Sequence, residues 1–274
     1  MTTYKEIFGK YVKNYSSDPS SDAEGQVWYN TTSGTFKSVL AAGAWSAGGN
    51  MGTTRRNLAG AGTQTVGLAM GGYTGTAVTA ATEEYDGSAW TAGGNMGTAR
   101  YNLAGCGIQT AGLAFGGQTT TPLANTEEYD GSAWTAGGNL GTAKYLLGTA
   151  GTQTSALGFG GYLSPGASSS SEEYDGTSWT AGGSMAASGA GNGCGTQTAA
   201  LGFGQISITQ LYNGTSWATT ASLATVRSAL GSCGTQAAGL GAGGYVSSGN
   251  QNFTGTEEYS EAALAVKTIT TSTS

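Results

Sequence analysis

The chain of 274 residues contains no histidine. That removes the commonest general base and the commonest metal ligand. Cysteine is scarce: Cys106, Cys194 and Cys233 are odd in number and show no Cys-x-x-Cys spacing. Neither a disulfide framework nor a zinc site is expected. Charged residues make up only 9% of the chain, against roughly 25% in ordinary soluble domains. The 10 Lys and Arg are outnumbered by 16 Asp and Glu, and their scatter excludes the basic footprint of a nucleic-acid binder. No apolar run approaches the about 20 residues of a spanning helix, so no membrane span is expected. The start, "MTTYKEIFGKYVKN", lacks the apolar core of a signal peptide, which predicts synthesis and folding in a cytoplasm. With no nucleophile elbow, the chain reads as non-enzymatic, without cofactor or metal.

What is present is glycine, 50 residues of it, and a repeat. Trp45, Trp90, Trp134, Trp179 and Trp217 are spaced at nearly constant intervals, and a Gly-Thr-Gln or Gly-Ile-Gln motif recurs at Gly62, Gly107, Gly151, Gly195 and Gly234. This regularity separates the chain from low-complexity disorder, and the glycines lack the every-third-residue period of collagen. A period of roughly 40–50 residues points to propellers or solenoids. Helical repeats of that length need long 3.6-residue periodicity, and the repeats show none; short runs broken by turn signals read as strands.

The second repeat illustrates the pattern. "NLAGC" from Asn102 to Cys106 reads as a strand, "GIQT" as a tight turn, and "AGLAFGG" from Ala111 to Gly117 as an apolar strand ending in a glycine pair. "QTTTPLAN" is a loop, "TEEY" a third strand, "DGS" from Asp130 to Ser132 a hairpin turn, and "AWTA" a fourth strand. Four strands per repeat make one blade of a β-propeller. A blade cannot bury both faces alone, so it requires neighbours. Tyr85, Tyr129, Tyr174, Tyr212 and the tryptophans are expected to fill the wider outer part of each blade.

A glycine pair closing the second strand, Tyr-Asp on the third, Trp on the fourth and then "NMGTAR" resemble the kelch repeat over roughly residues 45–262. The resemblance implies an all-β fold, a single five-bladed kelch-like β-propeller with four-stranded blades, spanning 43–270, with residues 271–274 as a tail. Ring closure has two candidates. Either the Trp45 strand completes the blade begun by residues 223–260, or Leu264 to Thr270 does so.

Residues 1–42 differ in character and read as an N-terminal arm. Tyr4, Ile7, Phe8, Tyr11, Val12 and Tyr15 recur at helical spacing, with Thr3 and Glu6 as a capping box; they either pack on the propeller or dock another subunit. "VWYNTTSGTFK" signals a hairpin near 27–38. The arm's "SSDPSSDAEGQVWYNTTSGTFKSVL", together with the "GTQT" and "EEYDGSAW" repeats, is similar to tail-fibre-like proteins of marine bacteriophages. That resemblance implies a virion location. The partners it implies are other virion proteins, further copies of the chain in a homo-oligomeric assembly, and a host surface glycan or receptor. The alternative role is a purely structural head or tail decoration protein.

Four recurring positions are candidates for chemistry. Cys106, Cys194 and Cys233 alternate with Ala61 and Ala150, as expected of a small buried apolar site. Gln64, Gln109, Gln153, Gln197 and Gln236 either line a channel mouth or tie one blade to the backbone of the next. The pairs Glu83-Glu84, Glu127-Glu128, Glu172-Glu173 and Glu257-Glu258 alternate across a strand and cannot converge on one ion; they read as a solvated outer edge. Arg55, Arg100, Lys144 and Arg227 share one blade position on the face of the variable loops, where they either salt-bridge a neighbouring blade or meet a ligand. On that face the expected ligand-binding set is Tyr73, Tyr162, Tyr245, Arg56, Tyr101 and Tyr145, whose rings and donors suit a sugar.

Overall fold

In the computed structural model, residues 13–17, 27–38, 47–189, 191–204, 208–246 and 251–261 are described. The chain divides into two compact units, residues 1–47 and 48–274. Among the described residues all regular structure is β, and no helix is long and apolar enough to cross a membrane.

In the first unit, Val27–Asn30 and Thr35–Ser38 form an antiparallel hairpin. Its turn is set by Asn30, whose Oδ1 accepts the N–H groups of Thr32 and Ser33 at 3.0 and 2.9 Å, a local bond that Asn makes readily. Tyr29 and Phe36 face each other across the hairpin with ring centroids 5.1 Å apart. Lys13–Tyr15 adds as a third, parallel strand. The helix expected to run through Tyr15 is therefore corrected: the open edge of Val27–Asn30 offers a row of backbone partners, and strand pairing overrides the side-chain period. Tyr4, Ile7, Phe8, Tyr11 and Val12 lie outside the described residues.

The second unit is a succession of antiparallel sheets, giving a propeller-like architecture. The first holds Ala59–Gly62, Gly67–Met70, Thr82–Tyr85 and Trp90–Ala92 in that order. The second holds Ala104–Ile108, Ala111–Phe115, Thr126–Tyr129 and Trp134–Ala136. The third and fourth repeat the order, beginning at Gly148 and Asn192 and ending with Trp179–Ala181 and Trp217–Thr220. A fifth sheet contains Gly231–Gly234, Ala238–Ala242 and Thr256–Ser260. The first strands of consecutive sheets adjoin one another along the series.

Small residues on those first strands permit this crowding, while the second strands, such as Ala111–Phe115, are buried along nearly their whole length. Apolar clusters form between sheets: Leu113 and Phe115 of the second pack with Leu147, Ala156 and Tyr174 of the third. Each hairpin between third and fourth strands turns on an Asp or Asn. The Oδ1 of Asp130, for example, accepts the N–H groups of Ser132 and Ala133 at 2.8 Å. Those backbone donors hold the Asp130 carboxyl below the usual carboxylate range.

The glutamine series joins neighbouring sheets. Gln153 Nε2 donates to the carbonyls of Gly112 and Tyr129 in the preceding sheet at 3.0 and 2.7 Å. Gln109, Gln197 and Gln236 do the same from the second, fourth and fifth sheets. One amide thus satisfies two carbonyls between strands of the neighbouring sheet. Cys106 and Cys194 are buried and Cys233 is exposed; burial pushes the Cys106 thiol up to about 12 and Cys194 to about 11, which leaves both unreactive.

Candidate functional site: an aromatic rim at one end of the sheets

The structure first removes some candidates. Arg100, Lys144 and Arg227 are almost wholly buried. Each pairs with a glutamate on the third strand of its own sheet: Arg100 with Glu127, Lys144 with Glu172 at 2.9 Å, and Arg227 with Glu257 at 3.3 Å. Arg55 pairs with Glu83 at 3.0 Å in the same way. The remaining oxygen of each glutamate accepts a backbone N–H, from Gly97 at 2.6 Å for Glu127 and from Gly141 at 2.6 Å for Glu172. Arg100 also donates to the carbonyls of Gly116 and Asn125. These cations are bonded within their own sheet rather than to a neighbouring one.

The solvated-edge reading of the glutamate pairs is corrected as well. The first glutamate of the pair is buried in the first three sheets. The second receives a tyrosine hydroxyl from the following sheet: Tyr129 to Glu84, Tyr174 to Glu128 at 2.5 Å, and Tyr212 to Glu173 at 2.5 Å. Strand alternation sends one carboxylate into the sheet's own ion pair and the other into the sheet-to-sheet joint.

What remains at that end of the sheets is a rim. In the first, second, third and fifth sheets a glycine pair after the second strand turns the chain back onto the segment that precedes the first strand. The two segments meet in single bridges: Arg56 with Tyr73, Tyr101 with Gln118, Tyr145 with Tyr162, and Ser228 with Tyr245. The turn needs glycine, since Gly116 and Gly117 have φ of +62° and +86°, a region costly to side chains.

This geometry brings Tyr73 and Tyr101 together across the first and second sheets, with ring centroids 5.8 Å apart. Arg56 lies over Tyr73, its Cζ 5.3 Å from the ring centroid, a cation–π distance. Together with Asn57 they line an open depression of ≈ 380 Å³. Tyr145 and Tyr162 form a second pair, also 5.8 Å apart. Tyr245 sits at the corresponding place on the fifth sheet, where its N–H and carbonyl exchange bonds with Ser228. The expected set thus resolves into two aromatic pairs and a single tyrosine rather than one continuous surface.

Asn57 and Asn102 belong to the rim and were not singled out from the sequence. Asn57, Asn102, Leu146 and Ala229 all have positive φ, between 51° and 57°. Asn57 Nδ2 donates to Asn102 Oδ1, and a backbone chain runs from Leu146 N–H to Asn102 O and from Asn102 N–H to Asn57 O, at 2.8 and 2.9 Å. Asn just before a first strand was the available signal, because Asn tolerates this backbone region and Leu does not. Leu146→Gly is expected to raise stability by about 1 kcal/mol; a lower urea midpoint would show that Leu146 packing outweighs the strain.

Chemically the rim offers flat apolar faces, phenol hydroxyls, a guanidinium and carboxamides in a water-exposed depression, a combination suited to a polyhydroxylated ring. No protein-family profile matches the chain, and no curated protein matches it.

Proposed function

We propose that the chain is a non-enzymatic bacteriophage virion protein in which a five-bladed kelch-like propeller presents the aromatic rim to the host surface. Each of the five sheets is one blade. Residues 1–42 attach the protein to other virion proteins, in an assembly that holds further copies of the chain. The ligand class is a surface glycan, bound at the depression formed by Arg56, Tyr73 and Tyr101, with Tyr145, Tyr162 and Tyr245 as further contacts around the same rim.

The observation that carries this reading is the Arg56–Tyr73–Tyr101 cluster. Its rings are held by the backbone and half-exposed, while the other cations at the blade position beside it are consumed by ion pairs. Aromatic faces stack on the apolar side of a sugar ring, and Arg and Asn donate or accept at its hydroxyls.

Binding of the free protein to a glycan array and to intact host cells tests the proposal. Replacing Tyr73 and Tyr101 together by Ala is expected to weaken binding at least tenfold without changing the melting temperature by more than a few degrees. Undiminished binding by that variant, or no binding by the unaltered protein, would reject the adhesive reading.

A further inference from the structure

Charge is distributed unevenly between the two ends of the sheets. In the first three sheets the rim end is built from the approaches to the first strands, residues 48–58, 93–103 and 137–147, and the connections from second to third strands, residues 71–81, 116–125 and 160–170. No Asp or Glu occurs in any of these segments, although the chain has 16 of them. The segments do contain Arg55, Arg56, Arg100 and Lys144. Glutamates reaching from the third strands neutralise Arg55, Arg100 and Lys144. Arg56 is exposed. Among the described residues its guanidinium meets the Tyr73 ring but no carboxylate and no hydrogen-bond acceptor. The turn aspartates Asp86, Asp130 and Asp175 follow the far ends of the third strands, at the opposite end of each sheet. The depression thus carries one uncompensated positive charge, in surroundings cleared of acid.

This charge belongs to one place on the rim. The bridges across the glycine turns put Tyr101, Tyr145 and Ser228 where the first sheet has Arg56. Two backbone bonds fix Arg56 beside Tyr73: its N–H donates to Tyr73 O at 3.0 Å, and Tyr73 N–H donates to Arg56 O at 2.8 Å. The guanidinium is therefore held next to two aromatic rings with its donors unspent. Its planar fork matches the paired oxygens of a carboxylate or sulfate. A neutral sugar would stack on the rings and leave the charge unpaired. A small inorganic anion would pair with the charge and leave the rings unused.

We infer that the depression formed by Arg56, Asn57, Tyr73 and Tyr101 selects an acidic sugar, a ring bearing a carboxylate or sulfate that pairs with Arg56 while the ring stacks on a tyrosine face. The inference rests on the glycan reading of the rim and names the ligand class. The Tyr145–Tyr162 pair has no such cation beside it among the described residues and supplies stacking alone. The net charge of −6 repels polyanions from the molecule as a whole, so a preference for acidic sugars reports on this depression.

The test titrates the full chain with neutral galactan and mannan oligomers, with oligogalacturonate and oligomannuronate, and with sulfated galactan. At least one acidic set is expected to bind about tenfold more tightly than its neutral counterpart, as one charge-assisted contact provides. The uronates and the sulfated galactan distinguish carboxylate from sulfate as the paired group. Arg56→Gln is expected to abolish that preference with the melting temperature little changed, since the side chain it replaces is exposed. Raising NaCl from about 50 mM to about 500 mM is expected to shrink the preference in the unaltered protein. Equal binding of acidic and neutral oligomers would overturn this inference and leave the glycan reading standing. A preference that survives Arg56→Gln or ignores salt would likewise overturn it. Binding to none of the oligomers, or to any glycan on an array, would reject the glycan reading itself.

Discussion

Replacing Arg100 by Ala should destabilise the protein by about 3–5 kcal/mol, among the largest losses expected from a single substitution. The guanidinium has no exposed surface, and Glu127 beside it is 6% exposed. Removing the cation leaves a carboxylate surrounded by protein, with the Gly97 and Thr98 N–H groups as its remaining partners, and also orphans the Gly116 and Asn125 carbonyls. The repeat contains its own control. In the fourth sheet the cation position is Gly189, and the glutamate position is Gln210. The equivalence is structural: Gly189 N–H bonds to Ser168 O as Arg100 N–H bonds to Thr79 O, and Ala186 N–H bonds to Gln210 Oε1 as Gly97 N–H bonds to Glu127. Neither side of the pair carries a charge in that sheet. Adding Glu127→Gln to Arg100→Ala is therefore expected to restore at least half of the lost stability. The recovery stays partial, because Gln210 Nε2 finds no partner among the described residues and the shortened side chain leaves space. Urea denaturation of the two single variants and the double variant measures the coupling. Additive losses would show that the two groups do not depend on each other.

The same comparison shows what the sequence could and could not disclose. Strand boundaries were readable because Gly107, the Asp-Gly turns and the Trp spacing impose local geometry. The glutamine ties were readable as one of two options, since a polar residue repeated beside a tight turn must find a partner. The glutamate pairs were misread because solvent exposure is the ordinary fate of Glu. Only the third dimension shows that Arg100 reaches back over Glu127 and that Tyr174 reaches forward to Glu128. Yet the compensated change at Gly189 and Gln210 was present in the sequence, and comparing repeats position by position would have exposed it. The rim was half legible: Tyr73 was named from its place after a glycine pair and Tyr101 from its place after the recurring cation Arg100. The backbone strain at Asn57 and Asn102 depends on φ, which no periodicity reports.

Alkaline pH should unfold the protein through its sheet-to-sheet tyrosines. Tyr129, Tyr174 and Tyr212 have no exposed surface. Burial first, and the neighbouring carboxylate second, push Tyr129 and Tyr212 up to about 12, and Tyr174 is raised for the same reasons. A folded-state pKa above the unfolded one means that the neutral phenol stabilises the fold. That contribution is complete below the ordinary tyrosine value near 10 and disappears as pH climbs through about 12. With three such phenols raised together, the neutral form supplies a substantial share of a typical domain's ~5–15 kcal/mol. The melting temperature is thus expected to be level to about pH 9.5 and to fall steeply above it. Tyrosinate absorbance from these residues should appear together with loss of the β-sheet circular dichroism signal. Tyr129→Phe separates this cause from general alkaline damage: it gives up the bond to Glu84, about 1.5–3 kcal/mol at pH 8 for a bond to a charged group, and it removes one ionising phenol. Its stability curve should lie below that of the unaltered protein at pH 8 and converge with it towards pH 12. Parallel curves, or ionisation of these tyrosines well before the sheet signal is lost, would show that the joints between sheets do not hold their phenols neutral.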